Sequence, residues 1–506
     1  MKNDVEQKYE RLKKYLTREA YLKQAIRIVE FDRATVCPPE GRNGSGETMV
    51  VLESEAFGIK KEADYIQLAQ ELYADRENLT EARRCLIERL YRDYRRNSGI
   101  TQEKKYEFEK AKSEAFVNWS KAREQGKFEV FLPSLEKVVA AERERVSLWK
   151  TDERDQNRSI YERLLDEYET GMTVEVLDAL FSEGVKRITT LLKKINASPK
   201  QIRTDFLYRT VTDEQQEKCA RYLLELLQFD FKQGVFSVSE HPFTEMMGKG
   251  DTRVTSHFYP NLFLSNVYSV IHECGHALFE QLQPDEDHAE FLTDGKTMGM
   301  HESVSRFYEN ILGRSRGFIH LIYPKMCEIF PQVFRDVSEE ELYEAVNYVE
   351  PSLIRTEADE LTYTLHIIIR YELEKDMIGG KLTGKAITEA WNEKYKEYLG
   401  VMPENDREGV LQDIHWTDSF GYFPAYALGN FYNAMYYEKM KEELDVEKLL
   451  MQGEFAPINQ WMKEHVFQKA DRQNPSEWIE EITGKKLAAD AFLTYLEQKY
   501  TKIYGI

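Results

Sequence analysis

Residues 265–282 read SNVYSVIHECGHALFEQL. The apolar residues of this stretch recur at helical spacing, which predicts one helix with a buried face. His272 and His276 are four residues apart, so they lie on the same face and can bind one metal ion together. Glu273 stands where the general base stands in His-Glu-x-x-His zinc hydrolases. The stretch predicts a hydrolytic site with one Zn²⁺ per chain. The alternative is an ordinary buried helix with two histidines at its edge.

A catalytic zinc takes three protein ligands and a water, so a third ligand must be found. Phe279 and Leu282 stand where a metzincin has its glycine and third histidine, which excludes that extension. The next acidic amphipathic helix offers Glu302 near its start, and we predict that it completes a two-histidine, one-glutamate site. Glu309 competes for this role but lies about two turns further along. His301 either orients a metal ligand or is a polar residue of the helix start.

Composition excludes several classes of partner. The chain has 506 residues, with 69 Lys and Arg against 89 Asp and Glu, which gives a net charge of −20. A nucleic-acid binder or a peripheral membrane protein needs a basic surface, so neither partner is expected. Hydrophobic residues make up 42% and aromatic residues 12% of the chain, enough for a large buried core. The protein should be a folded, soluble globule.

Targeting and redox signals are weak. The first residues, MKNDVEQKYERLKKYL, lack the apolar run of a secretory signal, and no stretch of about 18 apolar residues follows, so a cytoplasmic location is expected. The five cysteines are odd in number and contain no C-x-x-C pair, which favours reduced thiols. They are Cys37, Cys85, Cys219, Cys274 and Cys327.

The rest of the pattern predicts a mostly α-helical protein. Glycine and proline number only 26 and 14, below average usage, which favours long helices. Thr212 and Gln215 form a capping-box pattern that predicts a helix through Leu227. Between Phe229 and Tyr259, glycines, a proline and β-branched residues predict one or two short hairpin strands before the metal helix. Because no repeat or linker is visible, residues 1–506 are predicted to form one domain.

Further motifs follow in order along the chain. They are FDRATVCPPEG from residue 31, His241-Pro242-Phe243, DTRVT at 251–255, HES at 301–303, IRTEAD at 354–359, GVLQDIHW at 409–416 and GYFPAY at 421–426. Together with the zinc motif, they resemble the carboxypeptidase Taq family of thermostable zinc metallocarboxypeptidases. The resemblance implies a large helical peptidase fold with a deep central cleft, a homodimer, and peptide substrates with a free C-terminus. It also implies Zn²⁺ as the cofactor, with Co²⁺ as a possible replacement.

The mechanism expected from this resemblance begins with Glu273 as the general base that takes a proton from the attacking water. Donors should then face the negative charge that develops on the carbonyl oxygen. Resemblance and chemistry both indicate His415 and either Tyr422 or Tyr426 for this role. The alternative is that the tyrosines belong to an aromatic turn of the core.

A carboxypeptidase must also bind the terminal carboxylate of its substrate, for which the bidentate fork of arginine is suited. Arg355 is the first candidate. Its alternative is a salt-bridged helix residue, since it precedes three acidic residues, Glu357, Asp359 and Glu360. Arg253 is the second candidate. It could instead close the far end of the groove and limit substrate length, with Asp251 orienting it.

Some residues depart from the family pattern. Val304 replaces the usual glutamine after His-Glu-Ser, and Cys274 replaces a frequent phenylalanine within the zinc motif. Neither change removes a predicted ligand or the base, and Cys274 is expected to be a buried, inert thiol. Two other functions stay open, a zinc endo-oligopeptidase using the same cleft and a non-catalytic helical scaffold with a vestigial metal site. An intact Glu273 argues against the scaffold, because a structural zinc needs no general base.

Overall fold

The protein is mostly α-helical in the computed structural model, which describes residues 2–151 and 155–506. The N-terminal half contains α1 Lys2–Thr35, α2 Arg42–Ile59, α3 Ala63–Ala74, α4 Glu81–Asn97, α5 Gln102–Gln125, α6 Phe128–Ser147, α7 Ile160–Tyr168, α8 Val174–Ala197 and α9 Asp213–Leu226. After the sheet come α10 Phe263–Gln281, α11 Asp285–Ala289, α12 Met298–Arg306, α13 Arg316–Ile329, α14 Pro331–Phe334, α15 Glu339–Val346, α16 Glu360–Gly379 and α17 Ala386–Tyr398. The chain ends with α18 Phe423–Glu443, α19 Val446–Gln452, α20 Ala456–Met462, α21 Gln468–Ala470, α22 Pro475–Thr483 and α23 Asp490–Tyr504.

A small sheet precedes α10. Its strands are β1 Gly234–Val238, β2 Thr244–Gly248 and β3 Asp251–Ser256, in the order β1-β3-β2. β2 and β3 form the antiparallel hairpin predicted from the sequence, while β1 adds a parallel strand on the other side of β3. The parallel strand was not predicted, because its pairing depends on a return of the chain rather than on a tight turn. The predicted fold class, mostly helical with a small β element beside the metal helix, is confirmed.

Local sequence signals explain several helix ends. Thr212 caps α9 through the predicted capping box with Gln215, and the helix ends one residue before Leu227. Leu68 and Leu72 of α3 and Leu86 and Leu90 of α4 are buried, and α4 ends at Asn97, before Ser98 and Gly99. No helix among the described residues is long and apolar enough to cross a membrane. All five cysteines are free in the structure, and their reduced state stays a prediction.

The buried apolar residues form two clusters. The larger one extends from α5 to α23 and includes the apolar face of α10. The smaller one belongs to α1, the end of α2, α3 and α4, with Leu292 as its contact from the middle of the chain. The N-terminal helices therefore have a core of their own, and the organisation of residues 1–506 as one domain stays a prediction.

Candidate metal centre

The face of α10 opposite the core carries the predicted metal residues. Val267, Val270, Ile271, Cys274 and Leu278 are buried in the larger cluster, as the sequence pattern predicts. This packing orients His272 and His276 away from that core on one helical face, one turn apart. Their side chains keep partial exposure, so the two imidazoles are accessible from the other side.

The helix α12 brings Glu302 to the histidines because two glycines allow close helix contacts. A Cβ atom on Gly275 of α10 would lie 2.7 Å from the Cα of Ser305 in α12. On the opposite side, a Cβ on Gly429 of α18 would lie 3.0 Å from the backbone N of Ser303. Only glycine at these two contacts lets α12 fit between α10 and α18. Glu302 is thereby held one residue from the contact at Ser303 and three residues from the contact at Ser305.

The three predicted ligands converge. The Nε2 atoms of His272 and His276 each lie 3.7 Å from Oε2 of Glu302, and one ligand atom from each residue lies within 4.8 Å of the others. Ligand atoms about 2.1 Å from a tetrahedral zinc are separated by roughly 3.4 Å, so this donor set fits such an ion. Two imidazoles and a carboxylate are the donors of catalytic zinc sites that keep a position open for water. Among the described residues, this is the group of histidine and acidic side chains that can hold a metal ion.

Glu309 holds His272 rather than replacing Glu302. After α12 the helix continues as a π-helical turn, Phe307–Leu312, and Oε2 of Glu309 lies 2.9 Å from Nδ1 of His272. Burial opposes ionisation, but the contact with His272 and the charge of Arg306 lower the pKa of Glu309 to about 2. An ionised Glu309 accepts the Nδ1 proton, so Nε2 of His272 is the ring nitrogen directed at Glu302. Burial opposes the charge of His272, but Glu302 and Glu309 raise its pKa to about 9, so a metal ion would take the place of the Nε2 proton. The spacing of the sequence indicates Glu309 only as a rival ligand and gives no signal for this role.

His301 plays the corresponding part for His276. Nδ1 of His301 lies 2.5 Å from Nδ1 of His276, and Nε2 of His301 lies 2.7 Å from Glu280 Oε1. Since Glu280 accepts the Nε2 proton of His301, the Nδ1 of a neutral His301 is an acceptor for the Nδ1 proton of His276. Burial lowers the pKa of His276 well below its usual value, so this imidazole is neutral with a free Nε2. Of the two possible roles of His301, the geometry favours orientation of a ligand.

Glu273 is positioned by the sheet. Oγ1 of Thr244, the first residue of β2, donates to Glu273 Oε2 over 2.7 Å and lies 2.9 Å from the backbone oxygen of the same residue. Burial raises the pKa of Glu273 above its usual value, against the effects of His272 and Thr244. A carboxylate with a raised pKa is suited to taking up a proton and giving it back. Thr244 directly follows the His-Pro-Phe motif, but no local pattern assigns it this partner.

A chain of contacts leads from the metal centre to Arg355. Arg306 donates from Nε to Glu302 Oε1 over 2.8 Å, and its guanidinium lies over the ring of Tyr363 at 3.9 Å. Nη1 of Arg355 donates to the hydroxyl of the same tyrosine over 3.2 Å. Arg355 is therefore connected to a predicted metal ligand through Arg306 and Tyr363.

Arg355 pairs with an acid far away in sequence. Its Nε and Nη2 donate to Asp413 Oδ1 over 3.0 and 2.8 Å, and Nε of the buried Arg370 donates to Oδ2 over 2.6 Å. The neighbouring acids have other tasks, since Asp359 caps α16 and Glu360 accepts from Lys499. One carboxylate thus serves two guanidiniums, and the group keeps a net positive charge.

The predicted oxyanion donors are brought together at the start of α18. Nε2 of His415 lies 3.4 Å from the hydroxyl of Tyr426, which lies 3.4 Å from the hydroxyl of Tyr422. Burial lowers the pKa of His415 to about 4 and raises the pKa of both tyrosines, so all three groups are neutral near pH 7. The guanidinium of Arg355 lies 5.3 Å from the ring centre of Tyr426, which places these donors beside the arginine.

The loop before α18 is fixed by a buried acid. Glu374 of α16 accepts from the backbone N–H of Gly421 over 3.0 Å and from Trp416 Nε1 over 2.9 Å. Burial raises the pKa of Glu374 to about 7 in spite of these donors. The sequence analysis did not foresee this residue, which holds both ends of the segment between His415 and Tyr422.

Arg253 occupies a separate place on β3. Its Nε and Nη2 donate to Asp251 over 2.9 and 2.8 Å, as predicted, and its guanidinium lies 5.0 Å from the ring centre of Phe31 in α1. In the described part of the chain, none of its hydrogen bonds or ion pairs reaches His272, His276 or Glu302. The two candidate arginines are therefore not brought to one point.

The two residues that depart from the family pattern lie in the interior of the protein. Cys274 and Val304 are completely buried, one on each of the two crossing helices. Burial raises the pKa of the Cys274 thiol, which makes it a poor nucleophile and fits the expectation of an inert cysteine.

Comparison with known proteins agrees with this geometry. The sequence model of the carboxypeptidase Taq (M32) metallopeptidases matches residues 11–500. Carboxypeptidase 1 of Bacillus subtilis (strain 168) is 36% identical over 491 residues, with 97% of each chain covered. Thermostable carboxypeptidase 1 of Thermus thermophilus is 35% identical, with 98% of this chain and 99% of the relative covered. The crystal structure of the M32 carboxypeptidase from Deinococcus radiodurans R1 has a TM-score of 0.94 at 30% identity, covering 99% of this chain and 100% of the other.

Proposed function

This chain belongs to the carboxypeptidase Taq (M32) family of metallopeptidases. We propose that it binds one Zn²⁺ and uses it to release single C-terminal amino acids from peptides. The observation that carries the proposal is the convergence of His272 and His276 on Oε2 of Glu302, at 3.7 Å from each Nε2. Co²⁺ is a second candidate ion, since imidazole and carboxylate also suit it. A cytoplasmic homodimer is part of the same proposal and rests on the sequence and the resemblance.

The reaction needs a strong nucleophile at neutral pH. Zn²⁺ held by these three residues would lower the pKa of a bound water towards about 7 and polarise the peptide carbonyl. Glu273 then takes the proton of the attacking water and later delivers a proton to the leaving amine. Thr244 holds Glu273 Oε2, so Oε1 is the oxygen left for this exchange.

The developing negative charge on the carbonyl oxygen needs neutral donors close by. His415 and one of the two tyrosines, Tyr422 or Tyr426, supply an N–H and an O–H without adding a net charge. Donors in a site shielded from water stabilise a transition state more than they would in bulk solvent. Their hydrogen bonds to each other, at 3.4 Å, are long enough to be exchanged for bonds to substrate.

Recognition of the substrate's terminal carboxylate is assigned to Arg355. Asp413 shares its single negative charge between Arg355 and Arg370, so the group is one negative charge short of balance. A peptide carboxylate supplies that charge. The burial of Arg355 would strengthen the pairing, because little water competes for the guanidinium. Arg253 would limit peptide length from β3, where Asp251 fixes its orientation.

Peptide pairs with a free or an amidated C-terminus test the assignment. An unpaired buried charge costs about 2 to 5 kcal/mol, so amides should be cut far more slowly than acids. We expect Arg355→Ala to reduce this difference in cleavage rate, because it should slow the cleavage of the free-acid peptide and leave that of the amide unchanged. Arg253→Ala is the matched control and should change the length preference while it keeps the ratio of acid to amide.

The outcome also separates the alternative functions. Equal cleavage of acids and amides, with internal fragments in the mass spectrum, would favour an endo-oligopeptidase. A metal-loaded protein without any turnover on a broad peptide panel would favour a scaffold with a vestigial site. If the ratio survived in Arg355→Ala and collapsed in Arg253→Ala, the two arginines would have exchanged roles.

A further inference from the structure

One side of α4 is basic in an otherwise acidic protein. This helix carries six arginines and three acidic residues, whereas the whole chain has a net charge of −20. The basic side lines a cavity of about 390 Å³ between α4, the segment that precedes α12, and the turn that precedes α22. A neighbouring cavity of about 280 Å³ shares Arg92, Thr170 and Asn474 with it. The positive charge of α4 is thus concentrated in a recess.

Arginines outnumber acids in the wall of the larger cavity, and most of the acids already have partners. Its wall contains Arg76, Arg89, Arg92, Arg95 and Arg472 together with Glu88, Asp471 and Glu477. Two of the arginines have partners as well, because Arg76 pairs with Glu88 and Arg472 pairs with Glu286 and Asp287. Glu88 lies 3.5 Å from Nε of Arg76. Asp471 accepts from the backbone N–H groups of Gly295 and Lys296, at 2.7 and 3.0 Å. Neither carboxylate is left to balance the middle of α4.

Arg92 is the least compensated of these cations. Its Nη1 donates to Thr170 Oγ1 over 3.2 Å, while its buried Nε has no hydrogen-bond partner among the described residues. Within residues 2–151 and 155–506, no carboxylate lies within ion-pair distance of Arg92. Burial and the guanidinium of Arg96 lower its pKa, and they outweigh the charges of Asp166 and Asp93, which raise it. A partly buried cation without a direct ion pair is costly, and proteins seldom keep one without a use.

Arg89 lies one helical turn before Arg92 and has no carboxylate partner either in the described part of the chain. Its Nη2 and Nη1 donate to the backbone oxygens of Phe291 and Leu292, at 2.9 and 3.3 Å. Carbonyl oxygens fix the guanidinium in place without neutralising it. Two adjacent positive charges with fixed orientation therefore face the same recess.

We propose that this recess binds a small anion with two or more phosphate groups, whose oxygens pair with Arg92 and Arg89. Guanidinium groups bind phosphate in a bidentate manner, and Thr170 and Asn474 offer further polar contacts. The volume lies within the range of small-molecule sites. Two arginines that have no ion pair within residues 2–151 and 155–506 call for more than one negative charge, which favours a diphosphate or triphosphate over a single carboxylate.

The wall also contains an aromatic pair, which offers ring edges to a nucleobase, since Arg76 covers the outer face of Tyr73. Tyr73 and Tyr91 line the cavity and stack on each other with ring centres 3.8 Å apart. The same phosphate chemistry can therefore come from an inorganic polyphosphate or from a nucleotide. The recess contains none of the predicted catalytic or metal residues, so this site is separate from peptide hydrolysis.

Calorimetric titration of the metal-loaded full chain tests the site. At constant ionic strength, pyrophosphate should bind at least tenfold more weakly to Arg92→Gln than to the parent. Arg92→Lys keeps the positive charge but lacks the bidentate guanidinium. Its affinity for pyrophosphate should lie between that of the parent and that of Arg92→Gln. Arg84→Gln is the matched control, because it removes the same charge from the same helix outside the cavity and should change the affinity less than twofold. Unchanged peptide hydrolysis in all three variants would show that they fold as the parent does.

Three results would overturn the proposal. If Arg92→Gln and Arg84→Gln weakened pyrophosphate binding equally, the binding would come from general electrostatic attraction to α4 and not from a defined site. Because pyrophosphate also chelates metals, binding that is the same in parent and Arg92→Gln would place the anion at the metal centre. If citrate bound as tightly as pyrophosphate, the recess would have no preference for phosphate groups. Adenosine triphosphate and inorganic triphosphate serve as a further pair, in which tighter binding of the nucleotide supports a nucleotide site and equal binding supports an inorganic one.

Discussion

Replacing Gly275 by alanine should separate the metal ligands without removing any of them. The added Cβ would lie 2.7 Å from the Cα of Ser305 and 3.1 Å from the backbone oxygen of Val304. The first contact is roughly 0.8 Å shorter than the ~3.5 Å at which two carbon atoms attract each other best. Backbone atoms cannot rotate away, so α12 must move relative to α10 by a substantial part of that distance.

Such a shift is large on the scale of metal coordination. Ligand distances in a metal site are held within about 0.2 Å, and Glu302 lies on the helix that moves while both histidines lie on the helix that does not. Overpacking of this kind costs about 1 to 3 kcal/mol of folding free energy. We therefore expect Gly275→Ala to lower the thermal midpoint moderately and to weaken metal binding by at least tenfold.

The assay is chelator competition for the metal, with thermal unfolding measured on the same samples. Gly184→Ala is the matched control, since its Cβ would meet the Cδ1 of Ile368 at an ordinary 3.5 Å in the interior of α8. That variant should keep its metal affinity and gain up to about 1 kcal/mol from the better helix propensity of alanine. A folded Gly275→Ala protein with the metal affinity of the parent would refute the view that the helix contact sets the ligand geometry.

Substitutions at four further residues test single roles. Glu302→Ala should lose most of its bound metal in elemental analysis, and retention at the level of the parent would exclude this ligand. Glu273→Gln should keep the metal and lose about 10² to 10⁴ in kcat, because an amide cannot act as the base; normal turnover in the metal-loaded variant would exclude it. Thr244→Val should lower kcat with little change in KM, and Thr244→Ser should restore kcat. A purely structural role of the threonine would alter the thermal midpoint instead. Glu374 is neutral in the native state up to about pH 7 but ionises near 4.3 when unfolded, so its contribution to stability falls by about 3 to 4 kcal/mol as pH rises through this window. The thermal midpoint of Glu374→Gln relative to the parent should therefore rise between pH 5 and 8, and a constant difference would contradict the raised pKa.

The sequence was sufficient to predict a feature where all the residues that determine it lie within one helix or its cap. The helix around His272 and His276, its buried face, and the capping box at Thr212 depend on residues within a few positions of one another, and each has the predicted local structure. The position of Glu302 on the following acidic helix could be predicted because a zinc site with two histidines needs a third donor. The resemblance to a known family supplied the remaining candidates, among them His415 and Arg355.

Contacts that join distant parts of the chain could not be predicted in this way. Asp413 lies 58 residues from its partner Arg355, so the local acids after the arginine were the natural expectation. Thr244 reaches Glu273 only because the sheet packs against α10, and β1 pairs with β3 through a return of the chain. Periodicity describes which face of an element is buried, but it does not describe what the exposed face will meet.

The π-helical turn after α12 explains the contact of Glu309 with His272, which the sequence did not indicate. Spacing alone places Glu309 on the same side as Glu302, where it is a rival for the metal. With the turn in place, Glu309 reaches Nδ1 of His272, on the side of the ring opposite the ligand atom. Insertions of this kind are frequent at functional sites and leave no clear mark in a single sequence.

One continuous segment therefore governs all three proposed metal ligands. It supplies Glu302 itself, it holds Nδ1 of His272 through Glu309, and it holds Nδ1 of His276 through His301. Both imidazoles present Nε2 for the same reason, because each Nδ1 is occupied by a group from this segment. A displacement of α12 must then disturb the third ligand and both ring orientations at once. For this reason the contact at Gly275 should affect metal affinity more than its distance from the ligand atoms suggests.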